Sequence, residues 1–576
     1  MGITDSSDDN NNTQSAIVFQ GGGALGAYEA GAFDVLYYWI KKDYTQKNGN
    51  IFDIVAGTSI GAINAAILVS YVKENGKWEG STQRLLDFWS HVSSSPDLSK
   101  WVFTWFGWPL TWDEKTWVNA WNQRHKINRD VATGEAARRY YSAKEFLLSG
   151  APNFFSKPMP NYDNRFFDDL NNMWYKYDNR PLKDSISKFV TAFPIATSYD
   201  DIDKEHHPPR LLLVSVDVKT GTTVTFDSYP SKDEIGKEIR KYTYEDPDKN
   251  WNFELNYDKG IMMEHIIASA SVPVNFDYAL IPTTYDYSSN SNYCSKASYN
   301  YNSGDEHLVN SNIDNKSEQV RYFWDGGILS NSPLREVISQ HKLFWEAKEG
   351  LKSKKITSDT WNQFSRQSDL AIPDLKVYII DLWPSKEDNI PTDHDDANDR
   401  KNDITYQDRT DYDQKVAVFV SDYIDLIRQI GDVAISSINA LKDSTIKANL
   451  KKQFDAILST NAKSTKRDGG ARTYEDLIKG RFNLDTTFYL ERQDDPDTIS
   501  SKWFDLSAHT ITNLIEDGRI QALRKILQKE GSSICSQLNL FMNGIKNSLQ
   551  NQEITQSHAD ELKSIVNIVK KENRCS

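Results

Sequence analysis

The sequence predicts an α/β fold with a mostly parallel central sheet. Two observations near the start of the chain carry this expectation, and a third comes from its middle. Residues 15–26 (Ser-Ala-Ile-Val-Phe-Gln-Gly-Gly-Gly-Ala-Leu-Gly) and 51–61 (Ile-Phe-Asp-Ile-Val-Ala-Gly-Thr-Ser-Ile-Gly) each run from a short apolar stretch into a glycine turn. An Ala-rich apolar pattern follows each turn, as in Ala62-Ile63-Asn64-Ala65-Ala66-Ile67-Leu68. This is strand–turn–helix twice over, the unit from which parallel sheets are built. Residues 211–218, Leu-Leu-Leu-Val-Ser-Val-Asp-Val, add another buried strand.

The remaining elements follow in order. Residues 1–14 are rich in Asp, Asn and Ser, lack a signal peptide's apolar centre and are expected to be disordered. Residues 15–383 read as one core domain, interrupted at about 76–180 by a mostly helical insertion. A helix is expected over 261–270, a Tyr/Ser/Asn-rich loop excursion over 283–319 and a strand ending at Asp325. Leu375–Leu382 reads as a further strand, the last of the sheet. Residues 384–412 are acidic and polar and read as a linker or mobile loop. Residues 413–576 read as a C-terminal helical extension, with helical periodicity over 414–460 and 507–572. There, Asp505-Leu506-Ser507 is placed to cap a helix whose apolar face uses Ile511, Leu514, Ile515, Leu523, Ile526 and Leu527. Inside the insertion, Trp101, Trp105, Trp108 and Trp112 keep helical spacing, with Trp117 and Trp121 beyond. Packing of the insertion onto the core is the first reading of that stripe. An interfacial lid or acyl-chain wall is the second.

The turns carry the chemistry. Gly57-Thr58-Ser59-Ile60-Gly61 fits G-x-S-x-G, a turn that lifts a serine hydroxyl off the sheet edge. Gly21–Gly23 offers backbone N–H groups at a helix N-terminus, where a developing oxyanion is stabilised. The span Gly21–Gly26 also fits the dinucleotide pattern G-x-G-x-x-G, but that reading needs an acid at the end of the second strand, where Gly57-Thr58-Ser59 stands. No lysine follows the last glycine, so it is no phosphate-binding Walker loop. A distant acid completes the set: Arg321-Tyr322-Phe323-Trp324-Asp325-Gly326-Gly327 is an apolar strand ending at a carboxylate and two glycines. Between these lies Ala268-Ser269-Ala270-Ser271-Val272-Pro273, small residues that allow close packing before a proline break.

Taken jointly, these pieces resemble the patatin-like phospholipase family. That family joins a GGGxxG-type oxyanion loop, a GxSxG nucleophile, a small-residue stretch ending in proline and a DG[AG] motif, and this chain has all four in that order. Asn331 and Pro333 follow as in many members, and Leu211–Gly221 resembles the family's central strand and turn. The resemblance covers about residues 15–345. It implies a three-layer core and a serine lipid acyl hydrolase with Ser59 as nucleophile and Asp325 as general base, without a histidine between them. It implies an oxyanion hole at Gly21, Gly22 and Gly23, with Gly26, Gly57, Gly61, Gly326 and Gly327 as motif glycines. No cofactor or metal is implied. The expected substrates are fatty-acyl esters of phospholipids or lysophospholipids, met at a transient membrane or lipid-aggregate surface. A general carboxylesterase or thioesterase, and a catalytically silent lipid-binding protein, are the alternatives. Intact Ser59 and Asp325 argue against the silent one.

A Ser–Asp–His triad is the rival within hydrolases, because His341, His394, His509 and His558 all follow Asp325. None stands in a glycine-rich loop after a strand. Asp393-His394-Asp395-Asp396 lacks the glycine and spaced acids of a calcium loop, and His206-His207 beside two prolines reads as exposed loop. A net charge of −14 argues against nucleic acid as a partner, and no run of 18 apolar residues suggests a membrane span. Cys294, Cys535 and Cys575 suggest no disulfide framework and fit a reducing compartment. The expected location is the cytoplasm, with peripheral contact at membranes.

Overall fold

The computed structural model describes residues 13–44, 50–94, 134–157, 175–282, 320–407, 410–462, 473–529 and 534–575, apart from residues 203, 205–206, 233–235, 246–251, 352–353, 363–371, 389, 480–481 and 496. The tryptophan stripe, His206, Cys294 and the 283–319 excursion lie outside the described residues.

Eight strands form the main sheet: β1 Thr13–Phe19, β2 Ile54–Thr58, β3 Arg210–Asp217, β4 Thr222–Asp227, β5 Ala279–Pro282, β6 Val320–Asp325, β7 Asp374–Asp381 and β8 Leu484–Glu491. Their order is β5-β6-β3-β2-β1-β7-β8, with β4 also pairing with β3. The run β3-β2-β1-β7-β8 is parallel, and β4, β5 and β6 join antiparallel. Every residue of β2 and of β3 is buried, as expected for strands covered on both faces.

The described helices are α1 Gly26–Tyr44, α2 Ile60–Asn75, α3 Ser81–Val92, α4 Gly134–Ser149, α5 Arg180–Phe189, α6 Met263–Ala270, α7 Leu334–Lys348, α8 His394–Tyr406, α9 Thr410–Ala440, α10 Ser444–Leu458, α11 Tyr474–Ile478, α12 Ala508–Lys529, α13 Ile534–Gln550 and α14 Gln556–Glu572. Helix α2 follows β2 directly and is buried along nearly its whole first three turns, because its Ala-rich face lets neighbouring elements approach from several sides.

Three expectations change. First, β7 is not the last strand: β8, from the C-terminal extension, pairs beside it in parallel. Second, residues 384–412 are not a linker throughout, since α8 occupies 394–406. Asp393 caps it by accepting from Asp396 N at 2.9 Å, and Asp395 and Asp396 favour its positive end. The buried face of α8 holds Asp399 and Asp403 rather than apolar residues, so hydrophobic periodicity could not reveal it. Third, Cys535 and Cys575 form a disulfide, with Cα atoms 5.4 Å apart. Forty residues of separation gave no sign of that pairing, and it runs against the reducing compartment expected from cysteine usage.

The C-terminal helices are part of the same core. Helix α12 lies along α1 so closely that a Cβ on Gly31 would sit 2.0 Å from Ile515 O, and one on Gly518 would sit 2.1 Å from Tyr28 O. Only glycine permits backbone contact on both sides of such a crossing. Asp34 of α1 accepts from Arg519 of α12 and contacts His558 of α14, both at 2.9 Å. Ser507 caps α12, and Ile511, Leu523, Ile526 and Leu527 are buried as expected, with Leu514 and Ile515 packed partly buried against the core. No described helix is long and apolar enough to cross a membrane.

Candidate active site

Three strands of the sheet end at one place. β1 runs out into Gln20 and Gly21–Gly23, β2 into Ser59, and β6 into Asp325. Ser59 has φ 57° and ψ −124°, a conformation that is rare for a residue with a side chain. Its amide donates to Ser269 Oγ at 3.0 Å, and Ser269 Oγ in turn donates to Val214 O. The small-residue stretch 268–273 therefore does more than allow close packing: Ser269 ties the Ser59 turn to β3. A Cβ on Gly21 would lie 2.9 Å from Ser59 Cβ and 2.3 Å from Asn331 Oδ1, so glycine is required where the first loop passes the serine. Gly57 and Gly61 face each other across the turn, and Gly26 opens α1 against Ile60 and Trp89.

Asp325 is buried at the end of β6. Its Oδ1 accepts from Gly327 N at 2.7 Å, which closes the Gly326–Ile328 turn, and its own amide donates to Ser271 O. Its Oδ2 is buried without a well-formed hydrogen bond. Burial pushes the carboxyl up to about 7; contact with the Ser59 hydroxyl and the Gly327 amide offsets only part of this.

Residues that the sequence reading missed hold the first loop in place. Gln20 is central. Its amide donates to Glu29 Oε1 at 2.7 Å, its side-chain oxygen accepts from Leu382 N and Trp383 N, and its side-chain nitrogen donates to Gln407 O at 3.1 Å. Asn64 Nδ2 donates to Glu29 Oε2 at 2.9 Å, and Trp89 Nε1 donates to Asn64 Oδ1 at 3.1 Å. Burial pushes the Glu29 carboxyl well above the ordinary range. On the other side, Asn331 Nδ2 and Trp383 Nε1 both donate to Gly21 O, at 3.1 and 2.7 Å, while Gly21 N donates to Asn331 O. One signal for part of this set was available: Glu29 and Asn64 are lone polar residues inside otherwise apolar helical patterns.

A cavity of about 190 Å³ opens over Ser59 and Asp325. Its wall is mainly apolar, with Phe155, Phe276, Trp383, Tyr406, Trp503 and Phe504 among its large residues. Trp383, Tyr406 and Trp503 pack edge-on or tilted against one another with centroids 5.2 to 6.1 Å apart. Tyr406 lies on α8, and Trp503 and Phe504 on a short 3-10 turn at 502–504, both beyond the stretch that carried the resemblance.

No histidine lines this cavity among the described residues. His341 is buried against Pro373 O, and burial pushes its pKa down to about 3. His558 is bound to Asp34, His394 lies at the start of α8, and His509 is exposed near Glu135.

A second group of carboxylates stands behind the aromatic wall. Asp399, Asp403 and Asp494 bring carboxylate oxygens within 4.8 Å of one another, a spacing open to a metal ion. The Lys502 ammonium already lies among them, at 3.1, 2.7 and 2.6 Å, and Arg492 pairs with Asp494 at 2.6 Å. The chain thus supplies its own cation there.

No curated protein matches the chain. Among solved structures, the crystal structure of VipD from Legionella pneumophila is similar over 98% of this chain and 81% of that one, at 10% identity and a TM-score of 0.24, a likeness too low to argue from. The profile of the family described as patatin-like phospholipase matches residues 17–338, a span that runs from β1 through the Ser59 turn and Asp325 into α7. The chain therefore belongs to the patatin-like phospholipases, a family of lipid acyl hydrolases.

Proposed function

We propose that this protein hydrolyses fatty-acyl esters of phospholipids or lysophospholipids through a Ser59–Asp325 dyad. The observation that carries the reading is the pairing of a strained Ser59 with a buried Asp325 at the floor of an apolar cavity. In the reaction, Ser59 Oγ attacks the ester carbonyl and Asp325 takes its proton. The tetrahedral oxyanion is held by backbone donors of the first glycine loop. Since Gly21 N–H is committed to Asn331 O, those donors are the amides of Gly22 and Gly23. Asp325 returns the proton to the departing alcohol, leaving an acyl-serine. It then takes a proton from water, which attacks the acyl carbon, and gives that proton to Ser59 Oγ as the acyl-serine bond breaks and the fatty acid is released. A carboxyl with a pKa of about 7 is a far better proton acceptor than one of ordinary acidity. Apolar walls suit an acyl chain, and access to it calls for transient contact with a lipid surface.

A fluorophosphonate probe tests the nucleophile. It is expected to label one serine in the native protein, and Ser59→Ala is expected to abolish both labelling and turnover with little change in Tm. Labelling that survives in Ser59→Ala moves the active site elsewhere. Turnover of phospholipid vesicles against a short-chain nitrophenyl ester separates the lipid hydrolase from a general esterase: a preference for the soluble ester favours the latter.

A further inference from the structure

Helix α9 spans 31 residues and carries two apolar faces. One face is covered: Ile424, Gly431, Ile435 and Ile438 are buried where α9 meets α7, α10 and β8. The other carries Tyr412, Val416, Phe419, Tyr423, Leu426, Ile430 and Val433, which are 41% to 68% exposed. Their spacing alternates four and three without a break. Val420 and Ile427 extend the stripe along one edge, also exposed. Single exposed apolar residues are ordinary, but a continuous seam of about 32 Å at 1.5 Å per residue is not.

We propose that this seam is an interface between two copies of the chain, with the α9 helices packed antiparallel. The period is the first argument. A strict 3.5-residue repeat keeps a stripe facing another helix, whereas a lipid surface imposes no such register. Self-complementarity is the second. With the two-fold axis level with Ile424 and Asp425, Val416 meets the partner's Val433, Phe419 meets the partner's Ile430 and Tyr423 meets the partner's Leu426. Along the flanks Val420 lies beside the partner's Ile427, Lys415 near the partner's Ser436 and Asp422 near the partner's Gln429. No like charges face each other. A parallel pairing would instead set Lys415 and Asp422 against the partner's Val420 and Ile427. Size is the third argument: nine exposed apolar side chains offer on the order of 800 Å² per chain, the share of a standard interface. Charge weighs against lipid. Interfacial helices are rich in Lys and Arg, but α9 has only Lys415 and Arg428 against Asp411, Asp413, Asp422, Asp425 and Asp432. None of this rests on the Ser59–Asp325 reading.

Light scattering after gel filtration tests the interface on the full chain at micromolar concentration without lipid. The expected mass is that of two chains. Phe419→Lys is expected to weaken the dimer at least ~30-fold, the effect of a central hot-spot residue, with Tm at high dilution unchanged. Added salt is expected to tighten the dimer, since each copy carries a net charge of −14. Cross-linking tests the register independently: in a Cys294→Ser background, Val416→Cys with Val433→Cys is expected to give a covalent dimer on oxidation, and Val416→Cys alone is not. A single-chain mass at micromolar concentration overturns the proposal, as does a covalent dimer from Val416→Cys alone. Vesicle binding by a monomeric protein that is lost in Phe419→Lys assigns the face to lipid and also overturns it.

Discussion

Two of the regions in which this molecule buries aspartates sit on either side of one aromatic wall. At the Ser59 site, Asp325 is enclosed with no cation beside it among the described residues, and burial lifts it to about 7. Behind Trp383, Tyr406 and Trp503, three aspartates surround Lys502, with Arg492 beside them. There Asp494, close to both cations, is held well below the ordinary range. Asp399 and Asp403 are raised, because burial outweighs their share of Lys502. The difference teaches what separates the proposed base from a brace. A buried carboxylate without a counter-charge is costly and reactive, and its proton can move at neutral pH. Carboxylates gathered on a lysine are held in place, and they pin α8 and the 502–504 turn, which supply part of the cavity's wall.

The largest expected effect breaks the brace. Lys502→Met leaves three buried carboxylates with only Arg492, at a cost of about 3–5 kcal/mol, as when one partner of a buried ion pair is removed. Chemical denaturation measures it. Adding Asp403→Asn to Lys502→Met is expected to recover a clear part of the loss. A Lys502→Met protein as stable as the wild type would show that the cluster holds nothing together.

Asp325→Asn is expected to do the reverse. Turnover should fall at least ~100-fold, the low end for general base catalysis, while stability improves at alkaline pH. A carboxyl raised in the folded state binds its proton more tightly there than in the unfolded chain. Its contribution therefore declines as pH climbs from the unfolded value of about 3.9 through the folded value. The Tm advantage of Asp325→Asn over wild type should accordingly grow from about pH 5 to about pH 8. Wild-type turnover should rise over the same window, as Asp325 ionises near 7. A pH profile flat across that window would separate Asp325 from the proton transfer.

Smaller effects sharpen the contrast. Trp383→Phe removes the indole donor to Gly21 O and keeps most of the ring, so turnover should fall by up to about tenfold, the worth of one hydrogen bond. The smallest effect belongs to the histidines. His394→Ala and His509→Ala should leave turnover within a few-fold, since neither approaches the cavity. A histidine variant as inactive as Ser59→Ala would replace the dyad by a triad.

Much of this was legible from the sequence, and the reason is local. A parallel strand buried on both faces is a continuous apolar run, and its turn must be glycine where backbones nearly touch; Ile54–Gly61 shows both within eight residues. The order of Gly21–Gly26, Ser59, Ala268–Pro273 and Asp325 was therefore enough to reach the family and the two residues proposed for catalysis. What stayed hidden depends on partners far along the chain. Helix α8 buries aspartates because Lys502 awaits them, β8 joins the sheet because β7 exposes an edge to it, and Cys535 reaches Cys575 only after α13 and α14 pack together. The acidity of Asp325 belongs to the same class. Its sequence neighbours announce a turn, but only the folded chain buries its carboxyl with no cation beside it among the described residues, and that burial lifts an ordinary aspartate to about 7.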